Sequence, residues 1–327
     1  MAAPTDPVLV FSAMRDEGAH LVEWVTWYRM LGCEILVAVN DCTDRSEALL
    51  AAFARAGWLE WFAHDPPDGV PPKQAAHAQA RRHAATRRAG WLLICDADEF
   101  LVPHRGGGGI DAYLDAVGRG HDGIALHWRC FGTGGEAHYA PGLTHRRFTR
   151  CGPARRPPNI WLKTLVRDPH RFERWGDHMP WAFEGRGTPR FVDSEGRPLA
   201  AEGAGRVAVR HTAPEAIAHG GAQMNHYALR SREEFELKRG TPSATAFRDR
   251  YTDDFFERFN RNVQRDLSAL AFAAPFDRLH AEAMALPGVA RHHHLCCADR
   301  VARICRLQGR APKGDPRWRE AMMRAAI

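Results

Sequence analysis

At 327 residues and 45% apolar, the chain can bury one large core or two modest ones, and its net charge of +6 leaves nucleic acid, an anionic membrane surface or a phosphorylated substrate open as partners. The arginines are spread along the chain in short clusters such as Arg81-Arg82, Arg87-Arg88, Arg146-Arg147 and Arg155-Arg156, which reads as a solvated basic surface and lacks the aromatic-interleaved stripe of a nucleic-acid binder. The longest apolar candidate, Leu267 to Phe276, is too short for a bilayer span, and the N-terminus shows no basic region of a signal or transit peptide.

From the N-terminus, "VLVFSAM" is a strand-length apolar run. The next segment repeats apolar residues at Leu21, Val22, Trp24, Val25, Tyr28 and Leu31, as one face of a helix requires, and Gly32 stops it. "EILVAVN" is a second strand. The helix after it has Thr43 or Asp44 as its expected N-cap and Glu47 placed for a capping box. "WLEWFAH" is a third strand, followed by a Pro- and Asp-rich loop and an Ala/Arg helix, "KQAAHAQARRHAATRRAG". The fourth strand opens "WLLICDADEFLVPH", Trp91 to His104.

This alternation of strands and helices predicts an α/β fold with a doubly wound, mostly parallel sheet. The right-handed crossover rule puts the carboxyl ends of the strands, where ligands bind in such sheets, along one edge. Later strands are expected in "GIALHWRCFG", "WLKTLVRD" and "RFVD", giving a mixed half. "SREEFELKRG" reads as a short helix, and everything from Tyr251 onward, "DDFFERFNRNVQRDLSALAF" included, as helical. Eight cysteines without a CxxC pair, several inside strand-like runs, favour a reducing cytoplasm over a disulfide framework.

The acids of the fourth strand carry the chemistry. Residues two apart in an extended segment point to the same side, so Asp96 and Asp98 are expected to project together from the strand end, with Ala97 and Glu99 on the other side. Two adjacent carboxylates repel unless a cation lies beside them, and a hard divalent ion, Mn²⁺ or Mg²⁺, suits oxygen ligands of this kind with a phosphate completing the shell. No GxxxxGK[ST] and no GxGxxG is present, so neither a P-loop nor the dinucleotide fingerprint is available to hold phosphate. "RHHHLCC" from Arg291 lacks partners at zinc spacing.

Taken in order, "RDEGAHLVEWVTWYRMLGCEILVAVNDCTDRSEALL", "WLLICDADEFLV", "FGTGG", "KTLVR" and "NHYALRSREEFELKRG" resemble the family 2 type glycosyltransferases, with the closest likeness to a branch akin to the family 92 enzymes. The resemblance spans about Val8 to Gly240. It implies a GT-A fold over residues 1–240, with a nucleotide-binding half to about 105 and an acceptor half after it, and a C-terminal helical appendage at 241–327. It also implies a nucleotide-sugar donor, usually a UDP-sugar, a divalent metal at the D-x-D, and a hydroxyl acceptor on a glycan or glycolipid. Asp98 is then the direct metal ligand, Asp96 meets the ribose or a metal-bound water, and His226 of "NHY" completes the metal site or is a buried histidine bonded to backbone. Arg15, Asp16, Glu17 and Asp41 match positions that hold base and ribose, with helix N-capping as the other job open to Asp16 and Asp41.

Within that resemblance, the general base is expected about a hundred residues beyond the D-x-D, where "WGDHMPWAFEGR" offers Asp177, His178 and Glu184. Asp177 is preferred because Trp175 and Trp181 flank it. Lys163 and Arg167 share one strand face and either meet the diphosphate or stay solvated, and Lys73 opens the helix before the D-x-D strand. The expected function is metal-dependent sugar transfer with inversion, in the cytoplasm, with peripheral association with a membrane's inner face left open. A nucleotidyltransferase on a related sheet is the rival enzyme, but "SAMRDEG" is not its Gly/Arg-rich loop.

Overall fold

The computed structural model describes residues 6–199, 210–241 and 248–327. Its first half runs β1 (Val8–Met14), α1 (Gly18–Met30), β2 (Glu34–Val39), α2 (Ser46–Arg55), β3 (Glu60–Ala63), α3 (Pro72–Ala80), α4 (Ala84–Arg88) and β4 (Trp91–Ile94). These strands are parallel in the order β3-β2-β1-β4. The chain therefore steps outward from β1 to β3, crosses over, and returns on the other side of β1, which makes the gap between β1 and β4 a switch point. Side chains of β1 alternate accordingly. Val8 and Val10 enter the core with α1 and α2, while Leu9 and Phe11 enter a second core with Ala76, Ala80 and Ala85 of α3 and α4.

The rest follows as β5 (Glu99–Pro103), α5 (Ile110–Tyr113), β6 (Gly123–Cys130), α6 (Thr144–Arg147), β7 (Arg150–Cys151) and β8 (Leu162–Arg167). A hairpin of β9 (Phe172–Trp175) and β10 (Pro180–Phe183) comes next, then β11 (Phe191–Asp193), β12 (Ala222–His226) and α7 (Arg232–Glu236). After α8 (Asp253–Phe259) and β13 (Gln264–Arg265), the chain ends in α9 (Ala273–Ala285), α10 (Val289–Leu307) and α11 (Pro316–Arg324). The main sheet continues β4-β8-β6-β12-β5, with β8 antiparallel to both β4 and β6, so the expected parallel and mixed halves are both present.

Three local expectations are corrected. At the helix over 46–55 the expected capping box does not form: the N-cap position falls on Arg45, Asp44 Oδ1 accepts from Ser46 N one residue earlier than a box requires, and Thr43 is bonded to Asp16. The Ala/Arg helix breaks at His83, whose backbone is extended and whose Nδ1 accepts from Ala85 N. Beyond Tyr251, the helix stops at Phe259, and Asn260 and Asn262 accept with their side-chain carbonyls from Thr133 N and Gly134 N, which ties the chain to that loop. The capping box that does form is at Ser231 and Glu234, opening α7.

α1 is buried nearly all round, from Gly18 to Tyr28. The sheet covers one side and α9 and α10 the other, with Phe276, Ala283, Val289 and Cys296 in the same core as Trp24 and Trp27. Its buried charged groups find partners inside: Glu23 accepts from Thr144 N, His145 N and His145 Nδ1, and His20 Nε2 lies 2.8 Å from Glu234. The C-terminal helices thus share one core with the sheet. All eight cysteines are free, and no helix among the described residues is long and apolar enough to cross a membrane.

Candidate functional site

The carboxyl ends of β1 to β4 bring Arg15-Asp16-Glu17, Asn40-Asp41, His64-Asp65 and Asp96-Ala97-Asp98 to one edge. At the centre, the segment after β4 is a turn and not an extended strand: Glu99 N donates to Asp96 O at 3.0 Å. The two aspartates therefore diverge, which corrects the expectation that they share a side. Asp96 faces Lys73 and Lys163, the latter at 3.4 Å. Asp98 faces Lys238 at 3.0 Å and His226 Nε2 at 3.7 Å. Against the upward push of burial, Lys163 and Lys73 hold the Asp96 carboxyl well below the usual range, and Lys238 and His226 do the same for Asp98.

The turn is held from below by α1. Trp24 Nε1 donates to Asp96 O, Tyr28 OH to Glu99 O and Trp27 Nε1 to Leu101 O, at 3.2, 3.0 and 2.8 Å. Glu99, fully buried and expected to point away, belongs to the site instead. Its carboxylate accepts from Asp96 N and Trp128 Nε1 and lies 3.1 Å from Lys163. Burial pushes it up to about 8, with Lys163 opposing.

His226 arrives because β12 pairs antiparallel with β5 in a register that sets it opposite Glu99, and Tyr227 N donates to Asp98 O. Burial lowers the imidazole to about 4, so it is neutral at physiological pH, as a ligand must be. Asp98 and His226 fit one divalent ion. Asp98 Oδ1 and His226 Nε2 face each other 3.7 Å apart, close enough for both to reach a single ion. Asp96 is turned to its lysines. Among the described residues, Asp16, Cys42 and Asp44 form a group of three possible ligands with atoms within 4.8 Å of one another, but the aspartates there are spent on loop amides.

Asp177 also reaches the site. The tip of the β9–β10 hairpin folds over it, putting Asp177 3.4 Å from Lys73 and 3.5 Å from His77 Nε2. Burial raises its carboxyl, but Lys73 and Lys163 outweigh that and keep it ionised. Glu184 does not reach the site: it is exposed beyond β10, where its backbone bonds Arg171. Arg167 is likewise displaced. Because β8 runs against β4, Arg167 pairs with Trp91 at the start of that strand, while Lys163, about 13 Å away along the pleat, lies at its end.

Asp16 is buried with a positive φ of 58°. Its carboxylate accepts from Thr43 N and Asp44 N and meets Arg303 at 3.1 Å, so it ties the first two loops together. Glu17 is paired with Arg230 at 3.0 Å and Arg300 at 3.5 Å, and against burial these two arginines lower its pKa. Arg230 Nη2 also donates to Ala97 O, bracing the D-x-D turn from the opposite side to α1. Arg15 and Asp41 lie exposed at the rim.

Of the indoles flanking Asp177, Trp175 is part of the second core and Trp181 is 37% exposed. Two others line the site. Trp128 is 4.1 Å from the His226 ring, and half-buried Trp161 packs 5.2 Å from His178. Sequence reasoning missed Glu99, Lys238, Arg230, Trp128 and Trp161. The one available signal was "HWRC", whose alternate residues put Trp128 on the face opposite His127.

No family model and no curated protein matches the sequence. Among solved structures, the chain is similar to S. aureus TarS 1-349, at 10% identity over 97% of this chain and 90% of that one, with a TM-score of 0.34. It is similar to TarS in complex with UDP-GlcNAc at 10% identity, the same two coverages and a TM-score of 0.33. The mannosyltransferase Ktr4p from S. cerevisiae matches at 8% identity over 42% of this chain and 44% of that one, with a TM-score of 0.26. At scores of this size, the functional reading rests on the chemistry of the site.

Proposed function

We propose that the protein is a glycosyltransferase that moves a sugar from a nucleotide-sugar donor, a UDP-sugar first among the candidates, to a hydroxyl of a glycan or glycolipid. The observation that carries this is the edge itself: a D-x-D turn beyond the switch point, ringed by Lys73, Lys163 and Lys238. Three ammonium groups beside one turn suit a ligand that brings its own negative charge. Each lysine now neutralises an aspartate, and an incoming diphosphate offers the same lysines a stronger partner.

Asp98 and His226 are the residues that would hold Mn²⁺ or Mg²⁺, which when bound supplies Lewis-acid stabilisation of charge on the diphosphate. The chain's own residues do the rest. Lys73, Lys163 and Lys238 are placed to neutralise the departing diphosphate. Asp177, held ionised, is the acid of its segment that can take the proton of the acceptor hydroxyl, although a lowered pKa makes it a modest base. Exposed Arg15 and Asp41 at the rim are available to base and ribose, and Trp128 and Trp161 give the site an apolar wall for a sugar face. Direct displacement, and hence inversion, follows if Asp177 has that role.

Incubating the protein with a panel of nucleotide sugars and Mn²⁺, and measuring release of the nucleoside diphosphate, tests the reading. Slow hydrolysis of one donor, abolished by chelation, is expected. Failure of every nucleotide sugar both to bind and to react contradicts it.

A further inference from the structure

At the opposite end of the main sheet from the D-x-D turn lies a cavity of about 380 Å³ with arginines on several sides. It opens where β8 ends and β6 begins, beside the β9–β10 hairpin, so Arg167 at the end of β8, Arg171 from the β8–β9 connection, and Arg186 and Arg190 from the β10–β11 connection face one space, with Gly120 to Asp122 completing the wall. We propose that this cavity is a second ligand site, independent of the D-x-D edge, that binds the phosphate or diphosphate group of a small polar molecule.

Its charge balance points to an anion. The two carboxylates in the wall are Asp122 and Asp168. Asp122 is fully engaged, accepting from Arg171 Nη1 and from the backbone N–H of Arg190, both at 2.8 Å. Asp168 stands 3.9 Å from both Arg167 and Arg171. Four guanidiniums against these two carboxylates and Asp6, which lies 4.0 Å from Arg167 outside the wall, leave an excess of positive charge, and it is localised. Among the described residues, neither Arg186 nor Arg190 has an ion-pair partner for its guanidinium, and the Nε of Arg167 and the Nδ1 of neighbouring His121 are buried without hydrogen bonds.

These groups are forks of N–H donors in search of acceptors, the arrangement that matches phosphate oxygens bidentately. Arg171 is fixed as a wall, stacked 4.6 Å over Phe183 and bonded to Asp122, so one part of the cavity is preorganised. The volume exceeds what a bare phosphate needs and falls within the range of small-molecule sites. That leaves room for the polar body to which the phosphate is attached.

The test is calorimetric titration of inorganic pyrophosphate in the absence of divalent metal, at ionic strength held constant with sodium chloride. Pyrophosphate can also meet the lysines of the D-x-D edge, so two variants are compared. Arg186→Gln/Arg190→Gln is expected to weaken pyrophosphate binding about tenfold or more while keeping the melting temperature, since neither side chain makes an ion pair in the fold. Lys238→Gln, which weakens only what pyrophosphate binds at the D-x-D edge, is expected to leave the binding that the arginine variant loses within about twofold of wild type. The reverse pattern overturns the proposal, as does the absence of saturable binding by the wild type at millimolar pyrophosphate. So does a chloride titration that mimics the pyrophosphate response.

Discussion

Replacing Lys163 by methionine tests how the charges under the D-x-D turn are held together. Its side chain is 1% exposed, with the ammonium group 3.1 Å from Glu99 and 3.4 Å from Asp96, and Asp177 shares the same cluster through Lys73. Methionine approximates the volume of the lysine stem, so the change is mainly one of charge. Removing one partner of a buried pair costs about 3–5 kcal/mol. With an unfolding entropy of about 2.1 cal/mol/K per residue, that lowers the melting temperature of a chain this long by about 4–7 °C. The loss also has a definite pH dependence. Burial lifts Glu99 from 4.5 to about 8 in the folded protein despite Lys163. A carboxyl raised in this way favours the folded state at low pH and disfavours it progressively as pH rises from 4.5 through 8. Without Lys163 the penalty grows, so the deficit in thermal unfolding should be larger at pH 8 than at pH 5.5, and Glu99→Gln added to the variant should restore part of it. A shift below about 1 °C at pH 8, or an equal shift at both pH values, refutes the reasoning.

Trp24→Phe keeps the aromatic packing but removes the hydrogen bond to Asp96 O. It should cost about 1 kcal/mol in denaturant unfolding and weaken UDP binding; unchanged values for both would detach α1 from the positioning of the turn. Burial lowers His20, His127, His219 and His293 to about 4, so each disfavours the native state as pH falls from 6.5 to 4, by about 3 kcal/mol at most. Unfolding followed by circular dichroism should therefore show stability falling steeply across that window, and a flat profile between pH 6.5 and 4 would contradict the burial of these rings. Asp177→Ala should abolish transfer with UDP affinity close to wild type, whereas Glu184→Ala should transfer normally. The opposite pair of results moves the base to Glu184.

The parallel half of the fold was legible because each strand and helix carries its own period: the alternation of β1 and the three-and-four spacing of α1 are local properties. The acids of the D-x-D turn were legible for the same reason, standing at the end of a hydrophobic strand. Lys73, Lys163, His226 and Asp177 were each marked by position, and the fold brings all four to that turn. What stayed hidden depends on direction and on distant pairing. Arg167 and Lys163 share a face, but only the antiparallel course of β8 shows which of them lies at the site end. Glu99 was assigned to the wrong side because an extended chain was assumed where a turn forms. Lys238 and Arg230 reach the turn from 140 and 133 residues away along the chain, through a helix whose position no local pattern specifies. The C-terminal helices hid their role in a similar way, since α1 reads as amphipathic and its outer face is covered only by α9 and α10.

The central claim is that the D-x-D edge binds a nucleoside diphosphate with the help of a divalent ion held by Asp98. Calorimetric titration of UDP into the protein with and without Mn²⁺, repeated on Asp98→Asn, tests it most directly. The account expects saturable UDP binding that Mn²⁺ strengthens about tenfold or more, with most of that gain lost in Asp98→Asn, whose melting temperature should also fall because Lys238 loses its ion-pair partner. Absence of UDP binding under either condition, or a Mn²⁺ effect of equal size in wild type and Asp98→Asn, would contradict it.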